Sequence, residues 1–280
     1  MENLKDYLPQ IRRDIVRMVH DVQSGHPGGS LGTVEFFTAL FFEMLEDVDP
    51  AHFSMNSTGE DVFILSNGHI TPVYYSVLAR RGFFPVEELA SFRKLGSRLQ
   101  GHPSTHDGLP GIRIASGSLG QGLSVALGVA QGKKLNKDNH LVYTLHGDGE
   151  LQEGQIWEAV LYAGAKGVDN LISTVDYNNA QIDGTVDDVL SLGDLKAKFE
   201  SFNWKVVEVK NGNDLDEVIE GLEKAKSLTG KNQPVAVLLH TKMGYGIDFM
   251  EGDYGWHGKP LNDEQLEKAL NQLPETLGDY

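Results

Sequence analysis

Apolar residues follow two rhythms along this chain. Ile11, Ile15, Met18, Val19 and Val22 recur at the three- and four-residue spacing of one helix face. That spacing predicts an amphipathic helix over 10–24, with Gly25 as its stop. The same pattern predicts helices over 33–46, 72–81, 119–135, 153–166, 191–202, 214–228 and 262–272. Between them lie short, continuous apolar runs, the first being Val62-Phe63-Ile64-Leu65-Ser66, with others at 140–146, 171–177, 205–210 and 234–241. Buried strands alternating with helices of this length imply an α/β fold, with a mostly parallel central sheet and helices on both faces. No repeat, low-complexity tract or linker divides the chain, so residues 1–280 read as one domain. Residues 96–117 and 243–261 are long loops rich in glycine, and loops of that length in a compact domain usually carry function. In an open parallel sheet, ligands bind beyond the carboxyl ends of the strands. Chemically telling residues should therefore follow strands directly.

Composition narrows the classes. The apolar fraction of 40% and charged fraction of 23% are those of an ordinary globular protein. A formal charge of -16 argues against nucleic-acid binding, because no broad basic face exists to neutralise phosphates. The absence of cysteine excludes disulfides, thiolate catalysis and cysteine-held zinc. The N-terminal stretch has no apolar signal core, and no apolar run reaches the ~20 residues that span a bilayer. A cytoplasmic protein with no membrane contact is the expectation.

The strongest chemical signal is a pair of turns. Gly147-Asp148-Gly149 follows the strand 140–146, and Asn178-Asn179 follows the strand 171–177. Either alone is a plain turn. Together, at neighbouring strand ends, they can place Asp148 and an Asn side chain on one cation. Mg²⁺ takes about six oxygens, few of them from protein, so room remains for a diphosphate. Flanking glycines let the backbone approach the anion. Gly117-Ser118-Leu119-Gly120-Gln121-Gly122, entering a helix, offers N–H groups to the same kind of ligand. It is not a dinucleotide fingerprint, which needs its glycines directly after a strand.

Histidines supply the second signal. His26 sits in the turn Ser24-Gly25-His26-Pro27, His69 ends Ser66-Asn67-Gly68-His69, and His102 and His257 lie in the two long loops. Four of ten histidines in Gly/Pro-bounded loops suggest a cluster that handles protons. His102 and His106 have the spacing of a metal pair, but Pro103 and Gly108 argue against the helix such a pair needs. His20, His52, His140, His146 and His240 read as structural. Glu150, Glu153 and Glu158 suit the positive end of the helix that follows.

At this point the residues resemble a family. In order, SGHPGGSLG, DVFILSNGH, FRKLGSRLQGHP, LPGIRIASGSLGQGLSVALGVA, HGDGELQEGQIWEA, DNLISTVDYNNAQIDG and GWHGKPL are similar to the N-terminal part of transketolases, across nearly the whole chain. The resemblance implies the thiamine-diphosphate-binding fold of a diphosphate (PP-type) domain. It implies thiamine diphosphate as cofactor, held through Mg²⁺ (or Ca²⁺ or Mn²⁺ in its place). Asp148 and Asn178 would bind the metal by side chain and Ala180 by its carbonyl. Gly149 would contact the diphosphate, while His69, Gly117, Ser118 and Leu119 would line the cofactor. His26, His102 and His257 would surround the sugar and move protons. Glu153 and Glu158 would be the interface carboxylates that link two cofactor sites.

Two departures stand out. Met243 occupies a place where some relatives carry a lysine. The pyrimidine-binding and third domains of single-chain members are missing, so they are expected on a partner chain, with two copies of each chain assembling. The partner would bring the glutamate that activates the cofactor ring and most arginines for sugar phosphates, since here only Arg93, Lys94, Arg98 and Lys259 offer charge. The expected reaction is transfer of a two-carbon ketol unit from a ketose to an aldose, both as sugar phosphates. An alpha subunit of a 2-oxo acid dehydrogenase would share the GDG and NN turns but not SGHPGG, SNGH and GWHGKPL. A non-catalytic cofactor-binding protein would have no need of the histidines together with Glu153 and Glu158.

Overall fold

In the computed structural model, residues 3–280 are described. Five parallel strands form the central sheet: β1 (Val62–Leu65), β2 (Val142–Gly147), β3 (Leu171–Tyr177), β6 (Lys205–Val209) and β7 (Val235–His240). Two short strands, β4 (Ala180–Gln181) and β5 (Gly184–Thr185), pair as a separate antiparallel hairpin. The sheet order is β1-β2-β3-β7-β6. Neighbouring strands run in continuous register, with Val142 beside both Val62 and Leu171, and Val235 beside Ile172 and Lys205.

The strands are apolar on both faces because both are covered. Side chains alternate across a strand. Phe63, Leu65, Val235 and Val237 enter one core, while Val62, Ile64, Ala236 and Leu238 enter the other. The first core is closed by α1 (Leu4–Val22), α3 (Val34–Ala39), α4 (Thr71–Arg80), α9 (Leu215–Leu228) and α10 (Asp263–Gln272). The second is closed by α5 (Gly122–Leu135), α6 (Gly154–Lys166) and α8 (Leu195–Ser201). Burying one Val, Leu, Ile or Phe side chain in either layer stabilises the fold by about 1.5–3 kcal/mol.

Helix starts are written by capping residues. Asp214 accepts from the N–H groups of Asp216 and Glu217, Asp194 from that of Ala197, and Asn262 forms a reciprocal capping box with Gln265. Five elements depart most from the sequence pattern, one being the helix predicted over 119–135, which starts only at Gly122 as α5. Helix α1 begins at Leu4, capped by Asn3, because Leu4, Tyr7 and Leu8 extend the apolar face past Pro9. The turn expected around His26 continues as a buried helical turn, α2 (Pro27–Gly32), with Pro27 at its first position. Proline suits that place because its missing N–H would be unpaired there anyway. The helix predicted over 33–46 ends its last turn in the wider π geometry, over Leu40–Met44. The one predicted over 191–202 is split: α7 (Val186–Leu190) precedes it, Gly193 takes a left-handed φ of 59°, and α8 starts only at Leu195.

Candidate active site

Four loops leave the carboxyl ends of β1, β2, β3 and β7 on the same edge of the sheet. They carry Ser66–His69, Asp148–Gln152, Asn178–Ala180 and Thr241–Met243. The loops holding His26, His102, Gly117 and His257 close over them. Together they enclose a cavity of about 370 Å³. Close approach is built in: a Cβ on Gly68 would lie 2.1 Å from the carbonyl oxygen of Ser116, so the Ser66–His69 turn can seat against the 116–120 loop only with glycine there.

One end of the cavity is acidic. Asp148, Asn178, Ala180 and Gly149 all line it, and Asp176 joins them. Asp148 accepts from the N–H groups of Gly149 and Asn179. Asp176 accepts from the Thr241 hydroxyl and, at 2.9 Å, from the Asn178 amide. Burial, followed by the neighbouring Asp176 carboxylate, pushes Asp148 up to about 8. Burial pushes Asp176 up to about 7, against its two hydrogen bonds. Two buried carboxylates held together call for a cation.

The donor set fits a hard divalent ion that completes its shell with diphosphate oxygens: carboxylate, amide and backbone carbonyl. Among the described residues no cluster of three or more His, Cys, Asp or Glu forms a self-sufficient metal site. Among them, too, no Lys or Arg lines the cavity, and buried Met243 occupies the wall instead. A diphosphate here would need the metal for its charge balance. The Gly149 N–H, expected to face the diphosphate, donates to Asp148 Oδ1 at 2.8 Å.

Glu150 corrects the sequence reading. It is not a helix-end carboxylate, because α6 begins only at Gly154. It lies in a buried 3₁₀ turn over Gly149–Gln152. Its Oε1 accepts from the Ser66 hydroxyl and from the Gly120 N–H at 2.8 Å, and its Oε2 accepts from the Gly147 N–H at 3.1 Å. Ser66 Oγ in turn accepts from the Gly122 N–H at 3.1 Å. Burial opposes its charge, but His146 at 3.9 Å, the Ser66 hydroxyl and the Gly120 N–H together hold its carboxyl below the usual range. One carboxylate thus ties three cavity loops. Glu150→Ala strands all its donors in the interior, so we expect a loss of about 3–5 kcal/mol, measured by urea unfolding. Glu150→Gln, which keeps one acceptor, should lose less.

The other end holds the histidines, as expected. Ring centroids of His26 and His69 lie 5.0 Å apart, those of His69 and His257 5.0 Å, and those of His26 and His257 5.5 Å. His102 stands 6.3 Å from His26. Burial lowers all four below the ordinary imidazole value of 6.5. For His26, burial, then the neighbouring His257, Arg93 and His102, bring it to about 4. The cluster is therefore neutral at neutral pH, able both to accept and to donate. Nδ1 of His26 and of His257, and Oδ1 of the cavity residue Asn67, have no hydrogen-bond partner among the described residues. Because the unfolded chain takes up protons below about 6.5 and the folded His26 does not until about 4, stability should fall as pH drops through that window. Thermal melts at stepped pH, with imidazole NMR titration of His26, check this.

Of the remaining expected residues, Gly117, Leu119 and Glu153 line the cavity, while Ser118 and Glu158 are exposed outside its wall. His106 is exposed and in no helix, so it forms no pair with His102. His20, His52 and His140 contact surface aspartates.

The transketolase thiamine-diphosphate-binding domain model matches residues 5–275. The chain belongs to the transketolase family. It is 36% identical to the 6-deoxy-6-sulfo-D-fructose transketolase subunit of a Clostridium strain, over 94% of this chain and 93% of that one. It is 37% identical to an apulose-4-phosphate transketolase subunit from Actinobacillus succinogenes, over 98% and 97%. Among solved structures, the transketolase of Leishmania mexicana superposes with a TM-score of 0.90 at 28% identity, over 100% of this chain but 42% of its own. That of Campylobacter jejuni gives 0.87 at 32%, over 98% and 43%. The chain thus spans about two fifths of these longer transketolases and nearly all of the transketolase subunits. It matches the N-terminal, diphosphate-binding subunit of a split transketolase, a transferase, and the 2-oxo acid dehydrogenase alternative is not favoured. As a transketolase, its site owes two wall residues, Asp176 and Glu150, to signals the sequence held only weakly. Asp176 is the single carboxylate of the LISTVDY strand, and Glu150 follows GDG directly.

Proposed function

We propose that this chain works in the cytoplasm with a C-terminal transketolase subunit, two copies of each, and transfers a two-carbon ketol unit from a ketose to an aldose. The single observation that carries this reading is the joining of both chemistries in one cavity, with Asp148, Asp176 and Asn178 at one end and four neutral histidines at the other. Bound thiamine diphosphate would supply the carbon nucleophile and electron sink of such a transfer. Asp148, Asn178 and the Ala180 carbonyl would hold its divalent ion, Mg²⁺ in our reading. His26, His102 and His257 would accept and return hydroxyl protons of the sugar, a role suited to imidazoles that stay neutral at working pH. His69 would pack against the cofactor.

A partner is supported by the cavity's open lip, where apolar Leu119 and Ile182 are exposed at 38% and 65%. Val125 and Leu135 on α5 and Leu161 and Tyr162 on α6 are also exposed, the last two one helical turn from Glu158. Exposed apolar area of this kind marks interaction surfaces. Glu153 and Glu158 would meet the second site of the assembly there. The two subunits described above are named for a sulfo sugar and a sugar phosphate, and we take anionic sugars as the substrate class here. Assaying ketose phosphates and a sulfoketose as donors, with a coexpressed partner chain, tests the proposal. Transfer from one of them with ribose 5-phosphate as acceptor supports it. Cofactor binding without transfer from any would favour a non-catalytic role.

A further inference from the structure

The segment Phe92–Pro103 supplies cations near the histidines, and most of their charge is already committed. Lys94 pairs with Asp21 at 2.6 Å, and Arg98 holds Glu88 through two hydrogen bonds of 2.6 and 2.9 Å. Arg93 differs. Its guanidinium meets no carboxylate among the described residues. One terminal nitrogen donates to the Ser24 hydroxyl at 2.9 Å and the other reaches the Gly101 carbonyl at 3.3 Å, while Nε is buried with no hydrogen-bond partner among the described residues. Burial lowers its affinity for its proton. Its backbone takes a left-handed φ of 54° and donates its N–H to the Leu99 carbonyl at 2.9 Å. A non-glycine residue in that region is costly and persists only when its surroundings fix it.

The two contacts are not arbitrary. Ser24 lies two residues before His26, and Gly101 immediately precedes His102. A Cβ on residue 101 would stand 2.4 Å from Arg93 Cζ, so the guanidinium fits against that loop only because residue 101 is glycine. The Arg93 charge acts on both imidazoles: it is the largest influence after burial on His102, and it adds to burial and His257 on His26. The groups facing His26 are His69, His102, His257 and Arg93, and those facing His102 are His26 and Arg93. No carboxylate among them offsets the guanidinium.

We infer that Arg93 is a positioning residue of the site, one that ties the His26 and His102 loops together and sets an uncompensated positive charge beside both imidazoles, so that they work as proton acceptors. For catalysis this rests on the ketol-transfer reading above; for the histidines themselves it does not.

The test is imidazole NMR titration of the full chain, alongside the pH profile of kcat/KM in the assembled enzyme. In Arg93→Met, His102 and His26 should titrate higher, because the cation held on the Ser24 and Gly101 segments that carry them has gone. The acid limb of kcat/KM should move up with them, and Arg93→Lys should restore both. Unmoved midpoints in a folded Arg93→Met chain would overturn the assignment. Arg93→Gln serves if Arg93→Met does not fold. In the unaltered chain, a His102 midpoint at or above the ordinary value of 6.5 would overturn it without any variant. Shifted midpoints in a chain that performs no ketol transfer would leave Arg93's role standing and remove the functional reading. The reverse outcome would do the opposite.

Discussion

Asp148→Asn should nearly abolish thiamine diphosphate binding while making the cofactor-free chain more stable. The two effects share one cause. Asp148 and Asp176 are buried carboxylates at neighbouring strand ends, and burial and mutual repulsion raise Asp148 to about 8. Without a cation, one charge fewer relieves the pair by more than the one acceptor that Asn gives up to the Gly149 and Asn179 N–H groups. With the cation and diphosphate, the same charge is what holds the metal, and among the described residues the cavity has no Lys or Arg to take its place. Removing one member of a buried charge pair typically costs about 2–5 kcal/mol, or about thirty- to several-thousand-fold in affinity. Relief of about 1 kcal/mol in the free chain would raise its melting temperature by about 2–4 °C at this size. Calorimetric titration of the assembled protein with cofactor and Mg²⁺, and melts without them, read the two effects separately. A variant that binds normally would remove Asp148 from the metal site.

His257→Ala should have the opposite signature, losing turnover but keeping the cofactor. His257 comes from the long loop 243–261, which is firmly held. Buried Arg12 pairs with Glu35 at 2.6 Å and donates to the Tyr245 carbonyl, the Gly244 N–H reaches the Gly28 carbonyl, and the Trp256 indole donates to Phe249. The imidazole is thus delivered by a fixed loop to within 5.0 Å of His69 and 5.5 Å of His26, ring to ring. A positioned proton acceptor contributes about 10²–10⁴ in rate. We expect kcat to fall by about that factor with cofactor affinity little changed, as for an interaction made mainly in the transition state. Equal loss of both would make His257 a cofactor-binding residue only.

Much of this architecture was legible in the sequence, for physical reasons. The runs Val62–Leu65 and Val235–His240 are short, apolar on both faces and bounded by turn residues, as strands covered on both sides are. Asp148 and Asn178 followed strands directly, where a parallel sheet presents ligands. Other features depend on tertiary contacts that spacing does not encode. Glu150 looked like an acidic helix start, but two of its partners, Ser66 and Gly120, come from loops far away in sequence, and the third, Gly147, ends its own strand. Asp176 read as part of a strand until Thr241 and Asn178 closed around it. The glycine-rich turn after His26 became helix because the core buries it, against its intrinsic preference. Arg93 was visible only as one cation among four; its lack of a carboxylate partner emerges from the fold.

Whether this chain is half of a ketol-transferring enzyme can be measured directly. The tagged chain is isolated from its own cells, the intact assembly is weighed by native mass spectrometry, and ketol transfer is assayed before and after the copurifying chain is removed. The expected result is an assembly of two copies of each chain, with activity that needs thiamine diphosphate and Mg²⁺, disappears when the partner is stripped and returns when it is added back. Full activity from this chain alone, or a stable monomer with no copurifying chain and no transfer, would contradict it.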